Sequence, residues 1–307
     1  FMIVAGVPPI VGVYATFFIT AIAAFFGSSK GMISAAAGSV ALVLAHLVAE
    51  YGIQYLFAAT ILAGILQVAL GLLKVGTLMR YIPKPVMTGF VNGLGIMMFT
   101  SQLDHFQGSL LLPLLGLLGI AIIFLFPRIT KKIPAPIVAI LVITAIVLGF
   151  GLDVKTLGDM GSISTDLPRF GIPAVPMTVE TLRIIFPTAL SVAIVGLVES
   201  LLTAQLVDEI TEEKSDKNQE TLSQGLGNVV SGFFGGIAGC GMIGQTIINL
   251  NYGGLGRLAT FLSGFFMLLS VVLLNGSVVQ IPVVALAAVM VVVSIETINW
   301  DSIKRLR

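Results

Sequence analysis

The stretch GGIAGCGMIGQTIINL, residues 235–250, decides the fold. It carries no charge, and its helical part, 240–250, is too short to cross a hydrocarbon core about 30 Å thick, which needs roughly 20 apolar residues per helix. Irregular backbone at that depth is tolerated only where it is buried in protein or lines a cavity. A companion lies early in the chain, GMISAAAGSVALVLAHLV at 31–48. Both read as helices that begin inside a membrane. A helix start leaves backbone N–H groups unpaired and carries roughly +0.5 of an elementary charge, so two facing starts hold an anion without any charged side chain.

Composition supports a membrane setting. Of 307 residues, 57% are hydrophobic and only 10% charged, with a mean hydropathy of +1.06, far from the balance of a soluble domain. A soluble enzyme is excluded on that ground. The chain has no P-loop, GxSxG or HExxH motif, so neither ATP-driven transport nor hydrolysis has support. The single cysteine, Cys240, has no partner for an internal disulfide and no His/Cys cluster for a metal; its plain reading is a small packing residue. Nothing points to nucleic-acid binding.

Charges, Pro and Gly divide the chain into apolar segments near 9–27, 33–49, 55–74, 84–102, 109–127, 134–151, 184–207, 221–234, 240–250, 257–275 and 281–295. Before them an apolar run is already under way at Phe1, read as the remainder of a truncated span; after them INWDSIKRLR is a basic tail. Alternate loops agree with this count. One set holds Lys30, Lys74, Arg80, Lys84, Arg128, Lys131, Lys132, Lys214, Lys217, Arg257, Lys304, Arg305 and Arg307, which is 13 of the 16 basic residues. By the positive-inside rule, the Lys30 loop and the C-terminal tail are cytoplasmic and the 152–183 connection is extracellular. The short segments then run in opposite directions. That is the signature of an inverted repeat with its site at the repeat interface, although small residues also serve plain close packing.

Acid placement narrows the chemistry. Fourteen of the 15 acidic residues fall at segment edges, Glu220 among them, and only Glu199 lies within a span. An ionisable group there costs at least ~2.5 kcal/mol and normally faces a cavity. Thr203, at i+4, shares its helix face, so the pair is expected to ligate Na+ through oxygen, or Glu199 to carry H+. For the anion, Cys240, Gly241, Met242 and Ile243 are expected to offer free N–H groups, with Gln245 and Thr246 as neutral donors. Ser34 reads as the N-cap opposite, followed by Ala36, Ala37 and Gly38, which keep the approach open. His46 and His105 read as packed or interfacial, and the mostly Phe aromatics as packing or lipid-facing surface.

These residues resemble the SulP inorganic-anion transporters, relatives of animal anion exchangers and the prestin motor. The similarity lies in AGVPPIVGVYATFF (5–18), GLVESLLTAQLVDEIT (196–211), DKNQE (216–220), GLGNVVSGFFGGIAGCGMIGQTIINL (225–250) and GGLGRLAT (253–260), and it extends over almost the whole chain. The resemblance implies an all-α polytopic fold of seven plus seven inverted spans with core and gate domains. On that plan 1–151 holds the first repeat and 184–307 part of the second, with the last two spans and a cytosolic STAS domain lying beyond this chain. It also implies a homodimer and an elevator-like core. Glu199 and Thr203 match positions where bicarbonate carriers of the family place an acid and a hydroxyl near Na+, and Gln245 falls where several animal members have Arg.

The expectation is a multi-pass protein of the inner (plasma) membrane, a secondary active transporter of sulfate or bicarbonate coupled to Na+ or H+, with no other cofactor. The alternatives are an uncoupled anion channel or exchanger and a nucleobase permease of related fold.

Overall fold

The computed structural model describes residues 2, 5–77, 84–130, 133–160, 167–300 and 302. Arg80, Lys131, Lys132, Lys304, Arg305 and Arg307 of the charge pattern lie outside the described residues, as do Asp166, Asp301 and Phe1. The elements in chain order are α1 (Pro9–Phe26), β1 (Ser34–Ala36), α2 (Gly38–Tyr51), α3 (Ile53–Leu72), α4 (Lys84–Gln102), α5 (Leu111–Leu125), α6 (Ala135–Gly149), α7 (Val179–Thr211), α8 (Lys217–Phe233), β2 (Gly239–Gly241), α9 (Ile243–Asn251), α10 (Arg257–Leu273), α11 (Asn275–Val278) and α12 (Val283–Thr297). The apolar segments therefore appear as helices, and both broken segments open on a short strand.

Helix starts follow local chemistry. Proline occupies the first turns of α1 and α6, where a missing N–H costs nothing. Thr178 caps α7 by accepting from Thr181 N at 3.2 Å, and Asp216 caps α8 by accepting from Asn218 N at 2.8 Å. That cap sets the start of α8 at Lys217, four residues before the expected 221. The α7 helix runs through Pro187 and is 33 residues long, well beyond the expected 184–207. Among the described residues, four helices are long and apolar enough to cross a membrane: Pro9–Phe26, Ile53–Leu72, Leu111–Arg128 and Val179–Thr211.

The chain forms two compact units, each drawn from both halves of the sequence. One comprises Phe1–Pro83 and Ser164–Leu273, the other Lys84–Ile163 and Leu274–Arg307. In the second unit α5, α6 and α12 close around Leu115, Ile143, Val147, Val284 and Ala285, while α4 packs on α12. Leu114 and Leu117 on α5 stay 56% and 65% exposed, as a lipid-facing side requires.

In the first unit the most extensive helix pair is α3 with α8. Glycines make this approach possible: a Cβ on Gly64 would lie 2.6 Å from the Gly225 carbonyl oxygen, and one on Gly225 would lie 2.7 Å from Val68 N. Gly225→Leu should therefore force the helices apart and cost about 3 kcal/mol or more. Thermal unfolding in detergent checks this, and an unchanged midpoint would contradict the packing.

Candidate substrate site at two half-helix starts

Strands β1 and β2 pair antiparallel in the register Ser34↔Gly241, Ala35↔Cys240 and Ala36↔Gly239. Met242 N extends the ladder by donating to Ile33 O at 2.8 Å. Only glycine fits at 239, because a Cβ there would strike the Ala35 carbonyl oxygen and lie 2.8 Å from Ile19 Cδ1. Three buried amides hold this point from behind. Gly239 N donates to Asn228 Oδ1 at 2.8 Å, and Gly239 O accepts from Gln224 Nε2 at 3.0 Å and Asn228 Nδ2 at 3.2 Å. Asn228 Nδ2 also donates to Gln67 Oε1 at 2.7 Å, and Gln67 Nε2 to Ala193 O at 3.2 Å. Each such bond contributes about 0.5–1.5 kcal/mol net, and more is lost when a buried partner is removed.

The segment leading into β1 is pinned just as closely. Glu220 is 1% exposed, and its Oε2 accepts from Ser28 N at 2.8 Å and Ser29 N at 2.9 Å. Glu220 stands at the edge of its segment, in the first turn of α8, and is buried there; hydrogen bonds donated by the α1–β1 loop compensate its burial. Further along, Asn249 Nδ2 donates to Gly31 O at 2.9 Å, Thr260 Oγ1 to Met32 O at 3.2 Å, and Thr20 Oγ1 to Ser34 O at 2.7 Å. Gly31 takes a left-handed φ of 79°, where a side chain would be strained.

Helices α2 and α9 leave these strands with Ala37 and Met242 as N-cap residues, and neither has a side-chain cap. The first intrahelical acceptances are Ala41 N on Ala37 O and Thr246 N on Met242 O. Among the described residues the N–H groups of Gly38, Ser39 and Val40, and of Ile243, Gly244 and Gln245, have no partner and are the open starts of two helices. Because the strands pair antiparallel, with Ser34 opposite Gly241 and Ala36 opposite Gly239, α2 and α9 leave the ladder from opposite ends, each with a partial positive charge at its start.

Glu199 reaches the start of α2 and strand β2 from α7. Its Oε2 accepts from Ser39 Oγ at 2.7 Å and from the Cys240 thiol. Among the described residues Oε1 has no hydrogen-bond partner, and Glu199 is part-buried. The carboxylate is thus anchored by one oxygen to both broken segments and unbonded at the other.

Several expected roles change. Ser34 lies in β1 and caps nothing; its Oγ is buried, with no partner among the described residues. The N–H groups of Gly241 and Met242 are not free, since Gly241 N donates to Ser200 Oγ at 2.9 Å and Met242 N to Ile33 O. Cys240 is a strand residue paired with Ala35, so of the four expected donors only Ile243 keeps an open helix-start N–H. The Thr246 hydroxyl accepts from Ile33 N at 3.0 Å and is fully buried. Thr203 does not join the Glu199 carboxylate through its proton; Oγ1 lies 2.8 Å from the Glu199 carbonyl oxygen and 3.1 Å from that of Gly241. Ala36, Ala37 and Gly38 are buried at the start of α2, and Gln245 is exposed. His46 is exposed and pairs with Glu50 at 3.3 Å, away from this place.

Ser39, Ser200, Gln67, Gln224 and Asn228 were missed. A census of polar residues within apolar segments, like the one that singled out Glu199, would have drawn notice to the three amides. Ser39 carries no such signal, being one of many small residues in its segment.

A helical membrane protein whose first unit holds two uncapped half-helix starts and one part-buried carboxylate belongs to the broken-helix class of polytopic proteins, in which irregular backbone builds the site. The profile of the sulfate permease family matches residues 1–112 and 109–307, and the chain belongs to that family. It is 54% identical over 310 residues to YbaR of Bacillus subtilis (strain 168), provisionally named a sulfate transporter, covering all of this chain and 64% of YbaR. It is 31% identical to the bicarbonate transporter BicA of Synechocystis sp. (strain ATCC 27184 / PCC 6803 / Kazusa), covering 92% of this chain and 55% of that protein. The solved transmembrane domain of a cyanobacterium bicarbonate transporter BicA superposes with a TM-score of 0.88 at 28% identity, over 97% of this chain and 84% of that one. The structure of SLC26A9 shares the fold, with a TM-score of 0.83 at 19% identity over 97% of this chain and 54% of the other. The chain spans less than two thirds of these curated relatives, and its family is one of permeases rather than enzymes.

Proposed function

We propose that this protein is a secondary active transporter of a small inorganic anion, sulfate or bicarbonate, bound between the starts of α2 and α9 and coupled to Na+ or H+ at Glu199. The pairing of β1 with β2 carries this reading, because it ties together two segments whose helix starts leave N–H groups unpaired and carry no cationic side chain. Neutral donors suit an anion that must bind and then leave. The antiparallel sense also fits an inverted repeat, with β1 and α2 in residues 1–151 and β2 and α9 in 184–307: a two-fold axis perpendicular to the strands exchanges an antiparallel pair. The first unit serves as the core, the second as the gate of an elevator-type cycle, in a homodimer of the inner membrane with the Lys30 loop and C-terminal tail cytoplasmic. The open Oε1 of Glu199 is the cation's point of attachment, with the Thr203 oxygen one helical turn on.

Uptake of labelled sulfate and of labelled bicarbonate into proteoliposomes holding the full-length protein tests the reading, with and without a Na+ or proton gradient. Accumulation of one anion driven by one gradient is the expected result. Movement of neither anion under any gradient overturns the substrate assignment. Steady anion current without cation dependence identifies a channel, and competition by uracil but not by anions identifies a nucleobase permease.

A further inference from the structure

The side chain of Ser39 donates to Glu199 Oε2 at 2.7 Å, while its backbone N–H is one of the three unpaired donors at the start of α2. One residue therefore belongs to both halves of the candidate site. Cys240 makes the matching tie from β2, donating its thiol proton to the same oxygen. We propose that Ser39 is the positioning residue that couples the cation and anion subsites, with Cys240 as a weaker second tie. This rests on the reading of Glu199 as the cation's residue and of the helix starts as the anion's.

The coupling is electrostatic. Ser39 holds the Glu199 carboxylate one hydrogen bond away from the N–H groups that receive the anion. An ionised carboxylate fixed there opposes a second negative charge. A cation or proton on the open Oε1 cancels that opposition, so occupancy of one subsite is felt by the other, and linkage makes the effect reciprocal. Without the hydroxyl, the carboxylate is free to turn away on its three-bond stem, and the link weakens although both subsites remain.

Other charges do not explain such a link. Of the titratable groups on elements packed against α7, only Cys240 touches Glu199. On α2, His46 pairs with Glu50 and Tyr51 ends the helix. Tyr55 opens α3; on α8, Lys217 bonds Asp208 and Glu220 bonds Ser28 and Ser29; α9 has no titratable group. On α7 itself, Glu180 and Arg183 lie in the first turns, and Asp208 and Glu209 in the last.

The test measures the half-saturating anion concentration of full-length protein in proteoliposomes at low and at saturating coupling cation. In the unmodified protein the ratio of the two should be about fivefold or more. Ser39→Ala should bring it to about one, because anion affinity at low cation rises to the level that the unmodified protein reaches at saturating cation once the carboxylate is no longer held against the anion. Ser39→Thr retains the hydroxyl and should restore the ratio. Cys240→Ala should lower it less than Ser39→Ala, because a thiol is the weaker donor, and Cys240→Ser should restore it. If Glu199→Gln loses the ratio but Ser39→Ala keeps it, the role of Ser39 is overturned and the functional reading stands. Full cation dependence in Glu199→Gln overturns the functional reading itself. Equal loss in Ser39→Ala and Ser39→Thr shows a packing role and overturns the inference.

Discussion

Replacing Glu199 with Gln should abolish the cation dependence of anion uptake and leave a folded protein. The amide keeps a carbonyl oxygen in place of Oε2, so Ser39 and Cys240 retain their acceptor. What is lost is the negative charge at the open oxygen. A neutral carboxamide neither takes up a proton at working pH nor balances Na+, and a gradient of either ion then has no purchase on the cycle. Cation stimulation of at least about fivefold should fall to about one, the loss of a coupling free energy of typical size. Uptake measured across a Na+ series and a pH series reads this directly. A size-exclusion profile and melting curve matching the unmodified protein would confirm the fold. Full cation dependence in the variant would remove Glu199 from the mechanism.

Gly239→Ala should have the largest effect on the fold for the smallest change in composition. The new methyl group meets the Ala35 carbonyl oxygen and lies 2.8 Å from Ile19 Cδ1, so backbone rather than a flexible side-chain tip has to move. Displacing the backbone of residue 239 also breaks its hydrogen bonds with Asn228 and Gln224, and each buried amide left unsatisfied costs about 1–3 kcal/mol. Together with overpacking, the expected loss is about 3 kcal/mol or more. Gly244→Ala is the control: it lies five residues on, in the first turn of α9, and a Cβ there meets nothing within 4 Å. Loss of melting temperature and of monodisperse yield in Gly239→Ala, with both kept in Gly244→Ala, is the expected pair of results. Equal stability of the two would show that the strands do not hold the site together.

The contrast between these variants reflects what a sequence carries. Hydropathy against the thickness of a bilayer was enough to read the helical membrane class, most segment positions and the two segments too short to cross. Glu199 stood out for the same local reason, as a charge with no polar stretch around it. Segment ends were legible where a cap lies in the sequence and was counted, and missed where it was not: Asp216 starts α8 four residues before its apolar run.

What remained hidden was every assignment that depends on a distant partner. Ser39 and Glu199 are 160 residues apart, Ile33 and Thr246 213, and Ser28 and Glu220 192. Thr246 has the composition of a ligand, yet its hydroxyl is committed to Ile33, while Glu220 has the composition of a solvated edge and is buried under two backbone N–H groups. The sequence by itself determined which stretches enter the membrane and where they break, because transfer to lipid is decided by local composition. Only the tertiary structure decided which N–H groups at those breaks stay open and which residues hold the carboxylate, because a hydrogen-bonding group is free or used according to what the fold brings within about 3 Å of it.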